Sequence, residues 1–154
     1  MRLLITGASG LYGSKLAQLA MDRRHQVFSS DIQNQAAHGT PVQLDVTNSA
    51  QVDAAFKISN PEVVVHAAAL TDVDKCEQNR ELAWKVNVEG TENIAQAAKA
   101  SNAFLLYIST DYVFDGEKGN YVETDLPSPI SYYGYTKLKA EETVNGHTHR
   151  NMSL

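Results

Sequence analysis

Cysteine occurs once, as Cys76, which excludes an internal disulfide framework and leaves no cysteine pair spaced for zinc. Positive charge is not in surplus either. Against 18 Asp and Glu stand 13 Lys and Arg, and a net charge of −5 argues against a general nucleic-acid binder. No apolar run approaches the ~20 residues that a membrane span needs. The opening Met1-Arg2-Leu3-Leu4-Ile5-Thr6-Gly7 meets glycine too soon for a secretory signal. No internal repeat or low-complexity tract is visible. A reducing, cytoplasmic setting is expected. What is present suits one domain: 154 residues, 43% hydrophobic and 20% charged, can bury a core without staples.

The pattern of apolar residues divides the chain. Arg2 to Thr6 is a short apolar run that stops at glycine, which predicts a buried strand. Leu11, Leu16, Leu19 and Ala20 then recur at helical spacing. Further strands are predicted at 26–30, 41–44, 63–67 and 103–108, with helices at 49–57, 79–100 and 131–144. The last helix is expected to stop at Asn145-Gly146, a left-handed cap, and 145–154 to be a disordered tail. The Gly-, Pro- and Asp-rich stretch 111–129 reads as a surface loop. Strands alternating with helices, mostly as continuous apolar runs, predict a doubly wound α/β domain. Its mostly parallel sheet should have about five strands with helices on both faces. The fifth strand would be an exposed edge, which a homodimer would cover.

Between the first strand and the first helix lies Gly7-Ala8-Ser9-Gly10-Leu11-Tyr12-Gly13. Gly7 suits a tight turn, Gly10 a close approach of backbone to a pyrophosphate, and Gly13 close packing of helix on sheet. A tight turn alone would also want glycine, but the strand–turn–helix context fits a dinucleotide. Asp31 ends the second strand, where a carboxylate accepts from an adenosine ribose and repels a 2′-phosphate, so NADH is favoured over NADPH. Arg23 and Arg24 are the nearest cations in sequence. Asp45 would either meet the adenine amino group or cap the next helix. Ala67-Ala68-Ala69 provides small side chains against which a flat cofactor could lie.

The last helix holds two Tyr-x-x-x-Lys pairs. Tyr133 and Lys137 share a stripe with Ala140 and Val144, an inward face, whereas Tyr135 and Lys139 share theirs with Glu142. The first pair is the better candidate. An ammonium one turn from a phenol favours the phenolate and brings a tyrosine towards useful acidity. Thr110, ending the fifth strand, could hold the same substrate oxygen. Asn87 falls on a stripe with Ala83, Gly90 and Ile94, so its amide is expected to bond main chain near the site or a relay water. His66, inside a strand, reads as a satisfied core histidine. Cys76 has no evident partner.

Together these residues resemble the extended short-chain dehydrogenase/reductase superfamily. The carriers are the glycine turn, His66-Ala67-Ala68-Ala69, Asn87-Val88-Glu89-Gly90-Thr91, and Tyr133 with Lys137. Tyr107-Ile108-Ser109-Thr110-Asp111-Tyr112-Val113-Phe114-Asp115-Gly116 and Glu123-Thr124-Asp125-Leu126-Pro127-Ser128-Pro129 are similar to dTDP-4-dehydrorhamnose reductases. The β-subunit of methionine adenosyltransferase is similar over the same stretch. The resemblance implies a Rossmann-like domain over 1–144 and NAD(P)H-dependent reduction of the 4-keto group of a dTDP-linked sugar. It assigns Thr110 to orienting the carbonyl, Asp111 to assisting beside it, Tyr133 to protonation, and Lys137 to the nicotinamide ribose and the tyrosine pKa. The cofactor set adds Ser9, Leu11, Tyr12, Val46 and Asn87. No metal is implied. A regulatory cofactor module and a sugar-nucleotide epimerase or dehydratase are the alternatives. Members of the family are roughly twice as long, so the substrate-binding half is expected to be absent.

Overall fold

In the computed structural model, which describes residues 1–147 and 150–154, the apolar runs assemble into one sheet. Its strands are β1 (Arg2–Thr6), β2 (Gln26–Asp31), β3 (Thr40–Gln43), β4 (Val63–His66), β5 (Phe104–Tyr107) and β6 (Asn151–Ser153). All neighbours pair in parallel, in the order β3-β2-β1-β4-β5-β6. The helices are α1 (Leu11–Asp22), α2 (Ser49–Ser59), α3 (Val73–Gln78), α4 (Arg80–Trp84), α5 (Gly90–Ala100) and α6 (Tyr132–His147).

Alternating side chains bury both faces of the central strands. Leu3 and Ile5 of β1 turn to one side, where Ala17 and Ala20 of α1 meet Val27 and Val65. Leu4 turns to the other, into a larger core. There Phe28, Val64 and Leu105 of the sheet meet Val52 and Phe56 of α2, Ile94 and Ala98 of α5, and Ala140 and Val144 of α6. The doubly wound α/β domain is therefore present, with six strands among the described residues where five were expected. Among those residues no helix is long and apolar enough to cross a membrane.

The helix predicted over 79–100 is divided: a π-helical turn, Lys85–Glu89, joins α4 to α5 and carries Asn87 inward. Before it lies α3, which the apolar pattern does not reveal. Asp72 caps it, accepting from the Lys75 N–H at 3.1 Å.

The carboxyl end departs from expectation. Asn145-Gly146 does not stop α6, which runs on to His147. His147 Nδ1 lies 2.9 Å from the Thr143 carbonyl, and Asn151 Nδ2 donates to the Val144 carbonyl at 3.2 Å. Those contacts satisfy carbonyls that a glycine cap would otherwise serve. Nor are residues 151–153 unstructured, since Asn151, Met152 and Ser153 pair with Leu105, Leu106 and Tyr107. Thr148 and His149, part of the predicted tail, lie outside the described residues. β5 is thus an interior strand, so the edge argument for a homodimer does not apply to it.

Candidate cofactor and active site

β1 ends at Thr6, and the chain must turn at once to begin α1. Gly7 makes that turn at φ +69°, and a Cβ there would lie 2.8 Å from Ala68 N. Gly13 packs against the same turn, where a Cβ would come within 2.9 Å of Ala8 Cα. Asn48, Asp72 and Asn79 cap α2, α3 and α4, but no described side chain caps α1. Its first N–H groups are left for a ligand or water, and Leu11 beside them is 95% exposed.

The turn borders a cleft of about 430 Å³ at the carboxyl edge of the sheet, where strand order reverses between β1 and β4. Gly7, Gly10, Leu11, Tyr12 and Gly13 line it, facing Asp31, Asp45, Val46 and Ala67 to Ala69. Thr6, Ile32, Leu44, Thr71 and Val86 complete the wall. The sequence reading missed these because nothing in their type distinguishes a cleft wall from core. Ser9, Asn87, Tyr133 and Lys137, also expected at the cofactor, are not among the lining residues. Ser9 contributes through its backbone, donating N–H to Asp31 Oδ2 at 3.2 Å. Asp45 Oδ1 accepts from the N–H and hydroxyl of Thr47 at 2.9 and 2.8 Å. The cap of α2 is Asn48, so Asp45 makes a local turn instead.

Behind the alanines lies a buried polar network. Thr91 gives its hydroxyl proton to the Asn87 carbonyl at 2.6 Å, so it accepts from His66 Nε2 at 3.0 Å. His66 Nδ1 then accepts from Thr6 Oγ1 at 2.7 Å. Burial, reinforced by the charge of Lys137, lowers the His66 pKa to about 3, so the ring is neutral. It is the satisfied core histidine that its position in a strand predicted. Asn87 Oδ1 accepts from the Leu70 N–H at 2.7 Å, and its Nδ2 donates to the Leu70 carbonyl and Thr136 Oγ1, both at 3.0 Å. Of the two roles foreseen for Asn87, the amide therefore serves main chain: it ties the segment after β4 to α6.

α6 separates the two tyrosine–lysine pairs. Tyr133 and Lys137 are buried, whereas Tyr135 is 39% exposed and Lys139 pairs with Glu142 at 2.7 Å. Tyr133 sits in a small cluster with Cys76 and Ala83, and its ring meets Tyr112 edge-on at 5.8 Å. The partner of Cys76 is thus an aromatic ring brought by tertiary packing, and its Sγ–H donates to the Leu70 carbonyl at 3.5 Å. Lys137 Nζ donates to the Ile108 carbonyl at 2.6 Å and stands 4.1 Å over the Tyr107 ring. Burial lowers its pKa to about 8, with Glu141 opposing. Burial pushes the Tyr133 phenol up, and the Thr110 hydroxyl pulls it part of the way back. The net shift is therefore upward, where an ammonium one turn away was expected to favour the phenolate: desolvation of the phenol outweighs the Thr110 hydrogen bond. Thr110 donates to Asp111 Oδ1 at 3.3 Å, and Asp111 and Tyr112 open a second hollow of about 280 Å³.

A family model described as RmlD substrate binding domain matches residues 1–153. The chain belongs to that family. Among RmlD-type relatives, the dTDP-4-dehydrorhamnose reductase of Aggregatibacter actinomycetemcomitans is 42% identical over 145 residues, 93% of this chain and 46% of that protein. Methionine adenosyltransferase 2 subunit beta of Bos taurus is 36% identical over 143 residues, covering 93% of this chain and 42% of its own. The crystal structure of the dTDP-4-dehydrorhamnose reductase of Bacillus anthracis in complex with NADP superposes with a TM-score of 0.89 at 34% identity. That match covers 99% of this chain and 51% of the other. The resemblances read from the sequence are borne out. This RmlD-family chain spans about half the length of the relatives it matches.

Proposed function

We propose that this chain binds NADH or NADPH and serves reduction of the 4-keto group of a dTDP-linked sugar, in the cytoplasm. The observation that carries the reading is the cleft, which gathers the glycine turn, Asp31, Asp45 and the three alanines at the switch between β1 and β4. The fit is physical. Uncapped N–H groups at the start of α1 suit a pyrophosphate. Asp31 suits ribose hydroxyls, and Ala67 to Ala69 leave room for a flat ring.

Bound nicotinamide would supply the hydride. The protein's own groups do the rest. Tyr133, kept protonated by burial, gives a proton to the sugar oxygen as negative charge develops there. Thr110 orients that oxygen, with Asp111 beside it. Lys137 meets the ribose hydroxyls and brings positive charge to the site. Asp111 also lines the second hollow, which would be the place for part of the sugar.

Calorimetric titration with NADH and NADPH tests the cofactor assignment. Saturable one-site binding is expected, with NADH tighter by about tenfold because the Asp31 carboxylate repels a 2′-phosphate. Asp31→Asn should narrow that ratio. No binding of either nucleotide would sink the assignment.

A second reading, a cofactor-holding module that regulates a partner, draws on the similarity to methionine adenosyltransferase 2 subunit beta. Consumption of NADH with a dTDP-4-keto sugar separates the two, since the module would bind cofactor without turning it over.

A further inference from the structure

A buried ammonium needs a counter-charge, and the surroundings of Lys137 identify one. Its side chain is 2% exposed, and the two groups that touch its Nζ, the Ile108 carbonyl and the Tyr107 ring, carry no formal charge. The titratable groups facing it are His66 on β4, Tyr107 on β5 and Glu141 on α6. His66 is neutral, and burial pushes the Tyr107 phenol up, so neither ring is charged near neutral pH. The carboxylate of Glu141, one turn beyond Lys137, is the anion among them. It is also held in place. Glu141 Oε1 accepts the hydroxyl proton of Ser109, the residue between the carbonyl that takes Lys137 and the threonine that faces Tyr133.

We propose that Glu141 is a positioning residue, the counter-ion of Lys137 and the anchor that keeps Ile108, Ser109 and Thr110 in register with α6. The inference rests on the reading above, in which Lys137 meets the cofactor. One carboxylate thereby governs two groups of the site without touching either reactant. Through its charge it keeps Lys137 cationic in a place where burial favours the neutral amine. Through Ser109 it sets the path of the chain just before Thr110. The opposing effects of burial and Glu141 on the lysine agree with this arrangement.

The test is the titration of Lys137, followed by the carbon shift of its ε-methylene in lysine-labelled protein, with Lys137→Met identifying the signal. The native midpoint is expected near pH 8. Glu141→Gln should lower it by about one unit, the effect of losing one nearby opposite charge. Glu141→Asp should recover part of that shift, and Ser109→Ala, which frees the carboxylate without removing it, should lower the midpoint less. A midpoint unchanged in a folded Glu141→Gln protein overturns the proposal. Should that variant not fold, an unchanged midpoint in Ser109→Ala overturns it instead. NADH titration of the native protein, run alongside, keeps the two readings apart. Loss of the midpoint shift with NADH still bound overturns the role of Glu141 alone, and absence of NADH binding with the shift intact overturns the cofactor reading.

Discussion

Thr6 and His66 meet across the β1–β4 boundary, Oγ1 to Nδ1 at 2.7 Å, directly behind the cofactor cleft. The same Thr6 oxygen accepts the N–H of Ala68 at 3.2 Å. The alanine segment on which a flat ring would lie is therefore tied to the two central strands. The histidine occupies the middle of a chain of hydrogen bonds with no place for a second ring proton.

That arrangement has a measurable pH signature. The unfolded chain protonates His66 near pH 6.5, whereas the folded protein holds it neutral down to about 3. Between those values the unfolded chain binds the extra proton, so His66 makes stability fall as pH drops below 6.5. At pH 5 the contribution is about 2 kcal/mol. Urea denaturation of native protein and His66→Gln at pH 7.5 and pH 5 should show a smaller acid loss in the variant. Equal losses would contradict a neutral, buried ring.

Asn87→Leu removes the side chain that joins Leu70 to Thr136, taking the partner of the Leu70 N–H and one partner each from the Leu70 carbonyl and Thr136 Oγ1. A cost of about 2–3 kcal/mol is expected from the lost partners. Cofactor affinity should fall as well, because the chain leading from Ala69 to Leu70 loses its anchor. A variant of native stability would show that the network behind the alanines is dispensable.

Gly13→Ala is expected to cost about 1–3 kcal/mol by overpacking, since the added carbon meets rigid backbone at Ala8. Chemical denaturation measures this directly. An unaffected stability would mean that α1 can shift away from the turn at little cost, and NADH affinity would then report how far it moved.

Tyr133→Phe should abolish reduction of a keto sugar while leaving NADH affinity nearly unchanged, because only the proton donor is lost. Tyr135→Phe should leave both intact, since that ring lies on the outer face of α6. Activity that survives the first change and not the second would reverse the assignment of the two pairs.

Much of this was legible in the residues themselves. Gly7, Asp31, Asp45 and Ala67 to Ala69 sit at the ends of strands that their own apolar runs announce, so their gathering at one sheet edge follows from a parallel sheet. The choice of Tyr133 over Tyr135 followed from helical periodicity, and burial agrees. Other features belong to contacts between distant segments. The three-residue strand β6 has no propensity to reveal it, since its pairing consists of backbone hydrogen bonds to β5. Where α6 runs past Gly146, Asn151 reaches back to the Val144 carbonyl, a contact from beyond the helix that no local pattern announces. The direction of the Tyr133 shift was misread because the sequence places Lys137 one turn away but does not show how far packing desolvates the phenol. Local periodicity picked out the inward face of α6, whereas on α1 it gave Leu11 and Leu19, which are exposed, while Ala17 and Ala20 meet the sheet. Which partner each buried polar group finds there was decided by the tertiary structure, because desolvation makes a buried donor or charge take whatever acceptor the neighbouring element supplies.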